Sequence, residues 1–120
     1  PEVFYEVNAS STTASVTLGD TNVLNGGTAS TATTIDASLW IPRISRLVIP
    51  NLLCYGRPSS YALRETGTTP YPLVCGDFNG GNAFQSRNLG VNSSGQFDYK
   101  GLAVTGPLYV DVMGYVVTEV

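Results

Sequence analysis

The sequence has no histidine. That removes the commonest general base and the commonest metal ligand together, so neither a Ser-His-Asp nor a Cys-His arrangement can be built. Charge is also scarce. Charged residues make up 12% of the chain, about half the usual ~25%, and the net charge is −3. The single lysine, Lys100, and five arginines are scattered along the chain. A nucleic-acid-binding face needs a basic footprint, which this pattern does not supply. No apolar run approaches the ~18 residues of a membrane-spanning helix. The opening Pro1-Glu2-Val3-Phe4-Tyr5 lacks a signal-peptide pattern. If the chain is complete, Pro1 fits removal of an initiator Met, and synthesis in the cytoplasm is expected.

Cysteine is nearly absent. Cys54 and Cys75 lie in separate apolar runs, too few for a disulfide framework or a zinc site. A bond between them is open, but buried free thiols fit better, because cysteine commonly serves as a small core hydrophobe. Asn8-Ala9-Ser10 and Asn92-Ser93-Ser94 match the glycosylation sequon, which chance explains in a chain so rich in Asn, Ser and Thr.

Hydrophobic residues make up 42% of the 120 residues, and they alternate with polar ones. That excludes disorder and allows one domain over 1–120, with residues 1–33 either part of it or an N-terminal arm plus loop. The run from Leu108 to Val120 organises the rest. Its even positions (Leu108, Val110, Val112, Gly114, Val116, Thr118, Val120) are nearly all apolar, and a period of two aims them at a core. Its odd positions (Tyr109, Asp111, Met113, Tyr115, Val117, Glu119) suit a half-wet face. At ~3.3 Å per residue the run spans roughly 40 Å, long for a strand, so Gly114 is expected to mark a bulge or bend.

Upstream, alternation predicts strands at Val3–Asn8, Ser15–Leu18 and Ile35–Ile41, the last with Ile35, Ala37, Leu39 and Ile41 inward and Trp40 on the opposite face. Residues 21–34 read as a loop or as a turn into a Thr-rich strand, with Asn25-Gly26-Gly27 as the turn signal. Arg46–Tyr55 is too apolar for a wet-faced strand and too broken by Pro50 for a helix. It predicts a strand buried on both faces and bent at Pro50-Asn51. Tyr61–Glu65, Tyr71–Cys75 and Gln96–Val104 read as strands, and Asn92–Gly95 as a hairpin-type turn. Ala83–Leu89 is read as an extended loop in preference to one helical turn. Eight or nine short strands, with turns every 8–12 residues, predict an all-β antiparallel β-sandwich or a small barrel.

Candidate chemistry is thin. The nine carboxylates are Glu2, Glu6, Asp20, Asp36, Glu65, Asp77, Asp98, Asp111 and Glu119. A pair of them is the minimum for glycoside hydrolysis, but nothing in the spacing singles out a pair. Asp77-Phe-Asn-Gly-Gly-Asn82 echoes a calcium loop yet lacks its closing bidentate Glu, so a Gly-rich turn explains it better. No catalytic residue, metal or cofactor is therefore expected. Arg43, Arg46, Arg57, Arg64 and Arg87 are either unrelated surface residues or partners across a subunit interface for acids such as Asp111 or Glu119. Tyr109, Met113 and Tyr115 either face solvent on an ordinary closing strand or meet another subunit. Trp40 is an interface anchor, a sugar-stacking platform or part of a second buried face.

Three segments carry a resemblance. Thr34-Ile-Asp-Ala-Ser-Leu-Trp-Ile-Pro42 followed by Ile44-Ser-Arg-Leu-Val-Ile49 looks like an early strand pair of small virus capsid and capsid-decorating proteins. Ser60–Gly67 and Gly106-Pro-Leu-Tyr-Val-Asp-Val-Met-Gly-Tyr115 continue it, so that it covers residues 34–120. It is a likeness of strands and turns and carries no functional residue. It implies a jelly roll assembled as trimers or larger rings: a non-enzymatic virion subunit that decorates or cements a shell, with copies of itself and a major capsid protein as partners. The N-terminal third then reads as an arm docking on a neighbour. The ending Leu108–Tyr115 is also similar to closing strands of modules on bacterial surface proteins. That implies the alternative, a secreted or surface-attached module binding glycans or a cell-wall partner.

Overall fold

A computed structural model describes residues 2–6, 21–42, 47–56, 60–76, 83–103 and 106–118. Nine strands run in chain order: β1 (Glu2–Glu6), β2 (Asn22–Gly27), β3 (Thr33–Asp36), β4 (Leu47–Gly56), β5 (Ser60–Glu65), β6 (Leu73–Gly76), β7 (Ala83–Asn88), β8 (Gln96–Ala103) and β9 (Leu108–Thr118). The predicted strand at Ser15–Leu18, the turn at Asp77–Asn82, and Arg43, Arg46, Arg57 and Glu119 lie outside the described residues.

The pairings nest. β5 pairs with β6, β4 with β7, β3 with β8 and β2 with β9, all antiparallel. The chain is thus one long two-stranded ribbon, doubled back between β5 and β6. Rolling that ribbon brings β9 against β4 and β8 against β5, which closes two sheets. Their orders are β2-β9-β4-β7 and β3-β8-β5-β6, the arrangement of a jelly-roll β-sandwich. β1 is an addition. It pairs with β9 over Gly114–Thr118, on the side where β2 takes Leu108–Asp111.

The core lies between the sheets. Leu108, Val110 and Val112 of β9 and Leu52 and Cys54 of β4 face Tyr61 and Leu63 of β5, Cys75 of β6, and Phe97 and Tyr99 of β8. The predicted alternation of β9 holds as far as Val112 and then changes phase. Asn51 pairs with Gly114 but Leu52 pairs with Val112, so Met113 has no partner on β4. This extra residue is a β-bulge, and it turns every later side chain to the other face. Beyond it Val117 is buried and Tyr115 packs on the core, whereas Val116 is only half-buried. The predicted bend at Gly114 is therefore present, and the predicted inward row is corrected at Val116.

Three other expectations change. The strand predicted at Ile35–Ile41 stops at Asp36, whose Oδ1 accepts the Ser38 N–H at 2.9 Å. The Ala37 carbonyl then accepts the Trp40 and Ile41 N–H groups. This Asx-type turn keeps Ile35, Ala37 and Ile41 inside but throws Leu39 out to solvent. Asn25-Gly26-Gly27 is not a turn but the end of β2. Gly26 adopts φ +77° and is skipped in the pairing with β9, so the left-handed glycine makes a bulge. Ala83–Asn88, read as a loop, is the edge strand β7. The turn at Asn92–Gly95 forms as predicted, with Asn92 Oδ1 accepting the N–H groups of Ser94 and Gln96.

Two buried tyrosines latch one end of the roll. The Tyr61 hydroxyl lies against the carbonyls of Gly27, at 3.2 Å, and Gly106, and the Tyr99 hydroxyl accepts the Ala29 N–H at 3.3 Å. Both connections, β2–β3 and β8–β9, are thus tied to the β5-β8 sheet. Gly27 is required here, because a Cβ would stand 2.5 Å from the Tyr99 hydroxyl.

Candidate interaction surfaces

Phe97 and Tyr99 of β8 point into the core, so Asp98 and Lys100 between them point to the outer face of that sheet. The register places Thr34 of β3 and Arg64 of β5 on either side of Asp98. Asp98 Oδ1 accepts the hydroxyls of Thr34 at 2.9 Å and Thr66 at 2.7 Å, and Oδ2 accepts Arg64 Nε at 2.9 Å. The loop after β5 folds back over this row. Arg64 Nη1 donates to the Thr69 carbonyl, and the Tyr71 ring takes the Arg64 guanidinium at 4.5 Å and the Lys100 ammonium at 4.3 Å from its centroid.

The chemical consequence is negative. Burial pushes the Asp98 carboxyl up, but donors from Thr66, Arg64 and Thr34 and the Arg64 charge outweigh it and hold the group below the ordinary carboxylate range. A saturated, low-pKa carboxylate is a poor general acid or base at neutral pH. Asp111 is buried in the other sheet, where its Oδ1 accepts Asn22 Nδ2 at 2.8 Å. These two acids stand in different sheets, and each is engaged by its own chain. Within the chain, Arg64 is thus already bonded to Asp98 and Asp111 to Asn22. Among the described residues no group of three or more Cys, Asp or Glu side chains is placed to hold a metal ion.

The four residues proposed as interface contacts are not gathered into one patch. Trp40 is half-buried against the core in the turn after β3. Tyr109 sits near the start of β9, paired with Asn25 and Tyr55, and Tyr115 lies six positions on, roughly 20 Å away along the strand. Met113 is the half-buried bulge residue between them. Tyr115 stacks on Tyr5 of β1, with centroids 5.2 Å apart and planes 23° from parallel.

Among the described residues, the large apolar groups most open to solvent are Leu39 (80% exposed), Val74 (55%), Leu102 (53%) and Tyr5 (45%), none of them an expected contact. Leu39 had been assigned to a core-facing row by alternation that the Asp36 turn interrupts. Leu102 is skipped in the pairing of β8 with β5, which makes it a further bulge residue. Gly101 beside it was the available signal. Val74 alternates with buried Cys75 on the edge strand β6, so it faces outward.

No family model matches this sequence, and no curated protein matches it. Among solved structures it is similar to one described as the tobacco streak virus coat protein dimer. The two share 14% identity over 97% of this chain and 81% of that one, with a TM-score of 0.38. The jelly roll is identified by its strand order and not by this likeness.

Proposed function

We propose that the chain is a non-enzymatic structural subunit of a virion, a decorating or cementing protein that packs against copies of itself and an underlying shell of major capsid protein. One observation carries the reading. The exposed large apolar side chains are spread around the sandwich, with Leu39 on an end turn, Val74 on the edge strand β6, Leu102 at the β8 bulge and Tyr5 on β1. A subunit in a lattice has neighbours on several sides and needs modest apolar contacts on each, which then add through multivalency. A module for one ligand concentrates such groups in one place. The sparse charge supports the same reading, because it lowers the desolvation cost of packing like against like. So does the commitment of Asp98 and Asp111 to hydrogen bonds within the fold.

Light scattering coupled to size exclusion, across a concentration series, tests the self-association. Oligomers that grow with concentration are expected, and Leu39→Ser and Val74→Ser should each weaken them while leaving the melting temperature in place. Electron microscopy of shells mixed with the protein tests the second contact. A strict monomer at every concentration that also leaves shells bare would overturn the reading.

One observation favours the alternative, a glycan-binding module on a cell surface. The stacked Tyr5–Tyr115 pair presents an aromatic surface of the kind on which sugar rings pack. A glycan array separates the two readings: sugar binding lost in Tyr5→Ala by a monomeric protein belongs to the module, and silence across the array belongs to the virion subunit.

A further inference from the structure

Cys54 lies on β4 of one sheet and Cys75 on the edge strand β6 of the other. Both face inward, both are fully buried in the same core cluster, and both are free thiols. Each thiol shifts the titration of the other, so the two sulfurs are near neighbours across the space between the sheets. The edge strand β7 pairs with β4 so that Gln85 stands opposite Cys54, and Arg87 of the same strand is close enough to act on both sulfurs by its charge. We propose that Cys54 and Cys75 form a redox pair that closes into an inter-sheet disulfide when the protein meets a peroxide.

The sulfurs are not equivalent. The neighbouring Cys75 and burial raise the Cys54 pKa. Cys54 lowers the Cys75 pKa against the opposing effect of burial, and the Arg87 charge assists. Cys75 is thus the sulfur whose pKa lies below the ordinary thiol value, and it sits on the four-residue edge strand β6, which has a single neighbouring strand to leave. Its thiolate attacks one oxygen of hydrogen peroxide, breaking the O–O bond, forming a sulfenic acid and releasing hydroxide. The Cys54 sulfur then attacks the sulfenic sulfur, giving up its proton as water leaves. Two thiols and one peroxide become one disulfide and two waters. Because both sulfurs are sealed from solvent, the reaction waits on local opening of β6, and its rate reports that opening.

The experiment uses the full chain, fully reduced, exposed to dilute hydrogen peroxide and followed by intact mass and by thiol alkylation after denaturation. Loss of about 2 Da, disappearance of both alkylatable thiols, and a Cys54–Cys75 cross-linked peptide that dithiothreitol reverses are expected. The oxidised protein should remain a single chain on a non-reducing gel and melt on the order of 10 °C higher, because the bond restricts the unfolded state. Cys54→Ala should stop at the sulfenic or sulfinic stage on Cys75, gaining mass instead of losing it. Two thiols still alkylatable after prolonged oxidation would overturn the proposal, as would disulfides formed only between chains. These readouts are independent of whether the protein decorates a shell.

Discussion

Each sheet buries an aspartate in the middle of a strand, and the two sheets do so differently. Asp98 of β8 is held by donors from three separate segments, β3, β5 and the loop after β5, and one of those donors is cationic. Asp111 of β9 counts among its partners Asn22, a neutral neighbour that also reaches the Leu24 and Val110 carbonyls. A carboxylate loses much solvation energy on burial, and full hydrogen bonding is what offsets the loss. Around Asp98 that requirement is met by drawing a loop across the outer face of the sheet. An acid on a strand therefore shapes a surface here. In the other sheet the amide of Asn22, on the neighbouring strand β2, lies against Asp111.

The largest expected effect comes from deleting the better-connected acid. Asp98→Ala leaves Thr34, Thr66 and Arg64 without their shared acceptor, and urea unfolding should show a loss of about 2–3 kcal/mol. Arg64 is partly exposed and regains water, which keeps the figure below that for a fully buried pair. In Asp111→Ala the Asn22 amide keeps two carbonyls within reach, so loss of that one hydrogen bond contributes about 1–2 kcal/mol. Equal losses would mean that the number and charge of donors do not distinguish the sites.

Acid sharpens the contrast. The Asp98 pKa is lowered in the folded protein, so its contribution to stability is fully present above the unfolded carboxylate value, ~4. It is lost as pH falls from there through the lower folded value. Urea midpoints measured from neutrality down to about pH 2 should therefore fall less steeply in Asp98→Asn than in the parent. An unchanged slope would place the acid sensitivity elsewhere.

What the sequence shows and what it hides divide along a physical line. Strands whose alternation is fixed by the core, such as β8 with Phe97 and Tyr99 inward, are legible from period alone, as is the Asn92–Gly95 turn. A bend is predicted at Pro50-Asn51, but β4 runs unbroken from Leu47 to Gly56 with Pro50 paired to Tyr115, and the extra residue beside it belongs to β9. The phase of β9 beyond Met113 is not legible, because a bulge belongs to a pair of strands and neither shows it alone. The edge strand β7, Ala83-Phe-Gln-Ser-Arg-Asn88, has one neighbour and an irregular alternation, so its signal is weak. Tyr109, Met113, Tyr115 and Trp40 stand out by residue type, whereas the exposed Leu39 and Leu102 sit at a turn and a bulge that break the pattern. The Asp98 cluster gave no local signal, since Thr34, Arg64, Thr66 and Asp98 meet only when β3, β8 and β5 align.

The smallest effect concerns the ring over the Asp98 face. Tyr71→Leu keeps an apolar cover on the loop but removes the π-face that Arg64 and Lys100 share. Cation–π contacts at part-exposed sites contribute about 0.5–1 kcal/mol, so a loss of that size is expected in urea unfolding. The same measurement in Arg64→Lys keeps a positive charge beside Asp98 while giving up the planar fork that donates to Oδ2 and reaches Thr69. If Arg64→Lys costs more than Tyr71→Leu, the directional hydrogen bonds hold the loop down and the ring is a cover. The reverse order would make the aromatic ring the main fastening of the loop and the carboxylate a lesser one.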